Sequence, residues 1–199
     1  EIFDFSNNID FCKELTDKLC CFQIRKGLNR GAFLVRYDIS NKSDKGIIPW
    51  LAPNDSAFIA SNALIPMYKK TYDQVYLMRA IDVANWIINY GINTENRLLV
   101  GYNKDTNEWD ESWLYIDAGF TINLFVDLYK ITNEIKWKNY SEIILEKYIN
   151  MFYLGKGRFI KVWKENSDDI KLFFTRGFAW ALDGLLSYCE SFESKRYMD

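Results

Sequence analysis

Histidine is absent from this sequence. Its absence removes every Ser-His-Asp and Cys-His mechanism and the most common nitrogen ligand for zinc. Cysteine is scarce: Cys12, Cys20, Cys21 and Cys189, with Cys20 and Cys21 adjacent and no CxxC pair. The pattern predicts buried free thiols, no metal site and a reducing compartment. No apolar run approaches the roughly 20 residues of a membrane span. There is no basic stripe, and the net charge is −2, so binding to nucleic acid by counterion release is not expected. The first residues, Glu1-Ile2-Phe3-Asp4, lack the basic and apolar regions of a secretory leader. The location expected from these features is cytoplasmic, with a leader removed beforehand as the alternative.

Acid–base chemistry therefore falls to carboxylates, Tyr or Lys. Aromatic residues are plentiful: seven Trp, thirteen Tyr and fourteen Phe, or 17% of the chain. Aromatic rings fill cores, and they also stack on the C–H faces of sugars. The 199 residues fit one domain with a sizeable core.

Apolar residues recur at helical spacing in six stretches: about Asp10 to Lys26, Ser56 to Lys70, Gln74 to Tyr90, Tyr115 to Lys130, Trp137 to Tyr153 and Thr175 to Phe192. Pro66 predicts a kink inside the second. Phe33 to Tyr37 and Arg158 to Trp163 read as short strands. The predicted class is all-α.

An internal repeat organises these helices. Tyr68-Lys69-Lys70-Thr71-Tyr72-Asp73 precedes one helix, and Tyr129-Lys130-Ile131-Thr132-Asn133-Glu134 precedes another, 61 residues later (129 − 68). Each unit reads as a helical hairpin. The first helix is apolar nearly all round and so belongs inside; the second carries more charge and belongs outside. The helix from Thr175 fits the same frame, with Tyr188 set against Tyr129. On that alignment, which places Asp55 or Ser56 opposite Asp117, three inner helices open with Asp55, Asp117 and Arg176 at one end. The two aspartates also suit helix N-termini for purely electrostatic reasons. A closed ring of six hairpins needs on the order of 360 residues. The chain supplies about half, so it is either part of a longer protein or a self-associating variant.

Two segments carry a family resemblance. Thr175-Arg176-Gly177-Phe178-Ala179-Trp180-Ala181-Leu182-Asp183-Gly184-Leu185-Leu186 and Trp113-Leu114-Tyr115-Ile116-Asp117-Ala118-Gly119-Phe120 resemble the unsaturated glucuronyl and rhamnogalacturonyl hydrolases, glycoside hydrolase families 88 and 105. Asn54-Asp55-Ser56-Ala57-Phe58 looks like the family's other aspartate segment. The resemblance spans roughly Asp55 to Leu186 and implies an (α/α) six-hairpin toroid. It implies a substrate oligosaccharide ending in an unsaturated uronic acid, hydrated at its double bond without cofactor or metal. Asp117 would be the general acid and base, and Asp55 the second carboxylate. Arg176 would bind the substrate carboxylate, and Trp113, Tyr115, Trp180 and Trp50 would surround the sugar.

Each role has a structural counterpart. Arg176 could bridge Asp117 as an ion pair, and Trp180 could be core. The acidic-aromatic run Glu108 to Trp113 could line a cleft or cap the next helix through Ser112. Lys69, Lys70, Lys136 and Lys138 read as solvated turn charges. Two other functions stay open: a lyase or sugar epimerase on the same scaffold, with Tyr102 or Tyr115 as a lyase base, and a non-catalytic scaffold binding a glycan or peptide.

Overall fold

A computed structural model describes residues 8–35, 50–110, 113–115, 118–156, 162–164 and 175–194; residues 113–115, 162–164 and 175–176 are described as backbone only. The chain is mostly helical, with two small antiparallel sheets. The helices are α1 (Ile9–Cys20), α2 (Pro53–Ile59), α3 (Ile65–Thr71), α4 (Gln74–Trp86), α5 (Gly119–Thr132), α6 (Ile135–Phe152) and α7 (Thr175–Phe192). The strands are β1 (Trp50–Leu51), β2 (Gly101–Asn103), β3 (Glu108–Asp110), β4 (Trp113–Tyr115) and β5 (Val162–Lys164). One sheet runs β1-β2-β3 and the other pairs β4 with β5.

The sheets correct the all-α expectation. Glu108 to Asp110 forms a hairpin with β2, in register Tyr102 to Trp109. Tyr115, expected to open a helix, lies in β4, opposite Val162. Helix α5 starts only at Gly119, with Ala118 at its N-cap, so Ser112 does not cap it. Phe33 makes a single bridge with Gln23, and 36–37 lie outside the described residues. Helix α1 ends at Cys20, six residues before the expected limit, and α7 runs over the predicted span.

Pro66 was expected to kink its helix; the irregularity found there is a π turn. Helices α2 and α3 are continuous through a π turn, Ala60–Leu64, placed immediately before the proline. The Ile65 N–H reaches back to the Ala60 carbonyl. A proline ring crowds the carbonyl four residues earlier, and a widened turn gives it room.

The repeat is visible atom by atom in the two hairpin turns. Thr71 Oγ1 donates to the Met67 carbonyl and accepts from the Asp73 N–H; Thr132 Oγ1 donates to the Leu128 carbonyl and accepts from the Glu134 N–H. Tyr72 and Asn133, again 61 apart, both take the left-handed conformation that ends each helix, and their N–H groups bond the carbonyls of Tyr68 and Tyr129. Buried Tyr76 and Trp137 then begin the return helices.

Helix α5 is central. It runs antiparallel to α6, from Thr132 against Trp137 through Phe125 against Tyr140 to Ala118 against Tyr148. It also packs on α2 and α7. Gly119 and Gly184 permit the α5–α7 contact. A Cβ on Gly119 would fall 1.8 Å from the Trp180 carbonyl oxygen, and one on Gly184 would fall 2.6 Å from the Gly119 Cα. The core gathers Leu64, Ile65, Val83, Trp86, Phe125 and Trp137.

Candidate functional site

The inner helices meet one another at like positions. Phe58 lies edge-on to Phe120 at 4.7 Å, and Phe120 lies 4.8 Å from Trp180. One turn further along, Asn123 Nδ2 donates to Asp183 Oδ2. Further still, Lys69 pairs with Asp127 at 2.7 Å, and Tyr129 packs on Phe192. These contacts join residues 58 to 63 positions apart, close to one repeat, so the helix of α2 and α3, α5 and α7 run parallel. Phe58, Phe120 and Trp180 thus form an aromatic line across three helices near their N-terminal ends. Phe58, at one end of the line, is 46% exposed, whereas Phe120 is 7% exposed.

The strands sit at the same ends. β1 leads directly into α2, and β4 lies just before α5. Trp50 in β1 lies over Gly101, where a Cβ would fall 2.6 Å from the indole Cε3; the ring is held by packing in the sheet. Beneath the β2–β3 hairpin, Trp109 packs against Trp86 at 5.7 Å and Tyr102 at 5.4 Å. The acidic-aromatic run is therefore anchored inward by Trp109. Tyr102 is buried, and its hydroxyl donates to Asn107 Oδ1 within the hairpin, a structural tie that leaves it poorly placed as a lyase base.

Of the residues expected at the site, Asp55 stands exposed in the first turn of α2. Trp180 joins the aromatic line in α7, where its ring is half-buried against Phe120. Arg176 lies in the first turn of α7 as backbone. Trp113 and Tyr115 lie in β4, likewise as backbone, and Asp117 lies outside the described residues. The turn lysines are not merely solvated. Lys69 bridges to α5, Lys136 pairs with Glu134 and lies 4.1 Å from the Trp137 ring centroid, and Lys138 lies 4.8 Å from that of Phe192.

Three residues at this end were not among the expected site residues. Phe58 and Phe120 were within reach of the repeat, since each falls three residues after an aspartate of the alignment. Tyr148 was not: its hydroxyl accepts from the buried Ala118 N–H at 2.8 Å and caps α5 from a neighbouring helix. The buried oxygens Asn54 Oδ1, Thr121 Oγ1 and Asn123 Oδ1 have no hydrogen-bond partner among the described residues, which concentrates polar character near the starts of α2 and α5.

Displaced titrations occur elsewhere. Asp17 on α1 is held below the usual carboxylate range by the hydrogen bond from Lys13 and next by that from the Tyr76 hydroxyl. Lys13 is raised in return, and burial raises Tyr76. These groups tie α1 to α4. Burial also pushes up the thiols of Cys20 and Cys189; all four cysteines are free, and Cys21 is exposed. Among the described residues no cluster of three or more acidic or thiol side chains could hold a metal, and no helix is long and apolar enough to cross a membrane. No protein-family model matches the chain, and no curated protein matches it in sequence.

Proposed function

We propose that this chain is part of an α/α toroid whose inner helices open onto an acidic-sugar site, and that it hydrolyses an unsaturated uronic acid from the end of an oligosaccharide. The observation that carries the reading is the parallel register of α2, α5 and α7, with Phe58, Phe120 and Trp180 in line. Asp55 and Asp117 each precede their phenylalanine by three residues, and Arg176 precedes Trp180 by four. On this reading, that sequence spacing brings two carboxyls and a guanidinium to one end of the bundle.

In this reading Asp117 protonates C4 of the ring double bond and, as its conjugate base, takes a proton from the water that attacks C5. The elements of water add across the bond. The resulting hemiketal opens and releases the neighbouring sugar. A second carboxylate, Asp55, and the surrounding aromatic side chains favour the protonated acid. Arg176 matches the substrate carboxylate with two parallel N–H donors. Trp180, Trp113, Tyr115 and Trp50 supply apolar surface for the sugar faces. No cofactor enters the reaction.

The test is loss of the double bond's ultraviolet absorbance on incubation with an unsaturated uronyl disaccharide. Turnover is expected, and Asp117→Asn should abolish it while circular dichroism stays unchanged. Turnover by that variant would sink the assignment. The exposure of Phe58 favours one other reading, a scaffold that binds a glycan without cleaving it. It predicts saturable binding of the same disaccharide with no loss of absorbance.

A further inference from the structure

Two inner-helix faces of this molecule are open, and they match. On α7 the exposed residues are Ala179, Leu182, Asp183, Leu186 and Glu190, a single ridge at helical spacing. Leu182 and Leu186 are 41% and 48% exposed. On the opposite side of the bundle, α1 and the helix of α2 and α3 flank an apolar groove of about 340 Å³. Ile9 and Leu15 line one wall, and Asn62, Ala63, Pro66 and Lys70 line the other.

The two faces are related by the repeat. Inner helices within the chain meet at like positions, as Asn123 meets Asp183 across 60 residues. The sequence alignment, which sets Tyr188 on Tyr129 and Tyr129 on Tyr68, carries Leu182, Asp183, Leu186 and Glu190 onto Asn62, Ala63, Pro66 and Lys70, the residues that form the helical wall of the groove. A helix lying there with the bearing of an inner helix would set the ridge of α7 against that wall in the same register. The charges agree as well. Glu190 comes opposite Lys70, as Asp127 comes opposite Lys69 inside the chain.

We infer that α7 of one copy docks in the groove between α1 and α3 of a second copy, and the reverse, so that two copies close one ring. A two-fold pair fills both open faces at once, whereas a single such contact would leave one face free to propagate. In the pair, α1 of the second copy lies beside α7 as α6 lies beside α5. Six inner helices then surround one mouth, with acidic and basic groups from both copies. The ring and the register of ridge against wall rest on the toroid reading above; the exposed ridge and the apolar groove are features of the geometry.

Sedimentation equilibrium over a range of concentrations tests it. A monomer–dimer equilibrium is expected, with no larger species. Leu186→Glu, at an exposed position, should weaken the dimer about tenfold or more without altering the circular dichroism, because it places a charge in an apolar groove. Glu190→Lys and Lys70→Glu should each weaken it several-fold, and the double variant should recover it. A monomer at every concentration, open-ended assemblies, or a dimer indifferent to all of these changes would overturn the inference. So would a longer product of the same protein that remains monomeric because its own polypeptide fills the groove. The uronide assay reads the chemistry separately. A dimer without turnover counts against the reaction alone, and an active monomer counts against the docking alone.

Discussion

The Ala118 N–H donates to the Tyr148 hydroxyl at 2.8 Å, so an outer helix caps the N-terminus of the central inner helix. Ala118 carries no side chain able to do this itself, and the amide is buried. Tyr148→Phe leaves that donor unsatisfied. The expected loss is about 1–3 kcal/mol in urea unfolding, with little change in m-value.

The close approach of α5 and α7 makes its two glycines sensitive. Gly119→Ala should cost about 1–3 kcal/mol or more, because its new methyl would meet the backbone of Trp180. Gly184→Ala meets the backbone of Gly119 and should cost a similar amount. Both strain one contact, so the double variant should lose less than the two single losses together. Thermal denaturation of the four proteins checks this.

The matched turns separate two otherwise equivalent threonines. Thr132 Oγ1 accepts from the Trp137 indole N–H as well as from the Glu134 N–H, whereas among the described residues Thr71 Oγ1 makes the bonds of the turn alone. Thr71→Val should cost about 1 kcal/mol and Thr132→Val roughly 1 kcal/mol more, since the buried indole loses its acceptor. Equal losses in chemical denaturation would contradict the difference.

Asp17 sets an acid limb on stability. Its carboxyl titrates lower in the folded chain than its ordinary 3.8, because Lys13 and then Tyr76 bond the charged form. The stabilisation is complete above the unfolded value. It disappears as the pH falls through the folded value, since the folded chain must then take up a proton that the unfolded chain already holds. The carboxylate is about half exposed, so the effect is small. Asp17→Asn should flatten stability against pH below about pH 4 and leave its slope near neutrality unchanged; urea midpoints across that range measure it.

The sequence made the long helices legible because apolar spacing alone specifies them. The span of α7 is a direct case, and the 61-residue echo of Thr71 in Thr132 located both hairpin turns. The strands were harder to read. β2 and β3 are three residues each, and what holds them is Trp109 wedged between Trp86 and Tyr102, a contact across more than twenty residues that no local pattern signals. The same alignment pointed to the end of the bundle where Asp55, Trp180 and the backbone of Arg176 lie. It could not reveal that Trp50 is braced against a glycine, or that Tyr148 reaches across to Ala118, because both facts depend on tertiary approach.

The π turn at Ala60–Leu64 houses one extra residue, which accounts for one of the four positions by which the register shifts along this helix pair. Before it, Phe58 meets Phe120 across 62 positions; after it, Lys69 meets Asp127 across 58. The extra residue it houses resets the angular phase of α3 against its straight neighbour. Deleting a single residue there would rewind the segment into an ordinary helix and rotate everything downstream by about 100°. Lys69 would then swing off the bearing of Asp127, and the hairpin turn at Thr71 would point away from the helix it now returns.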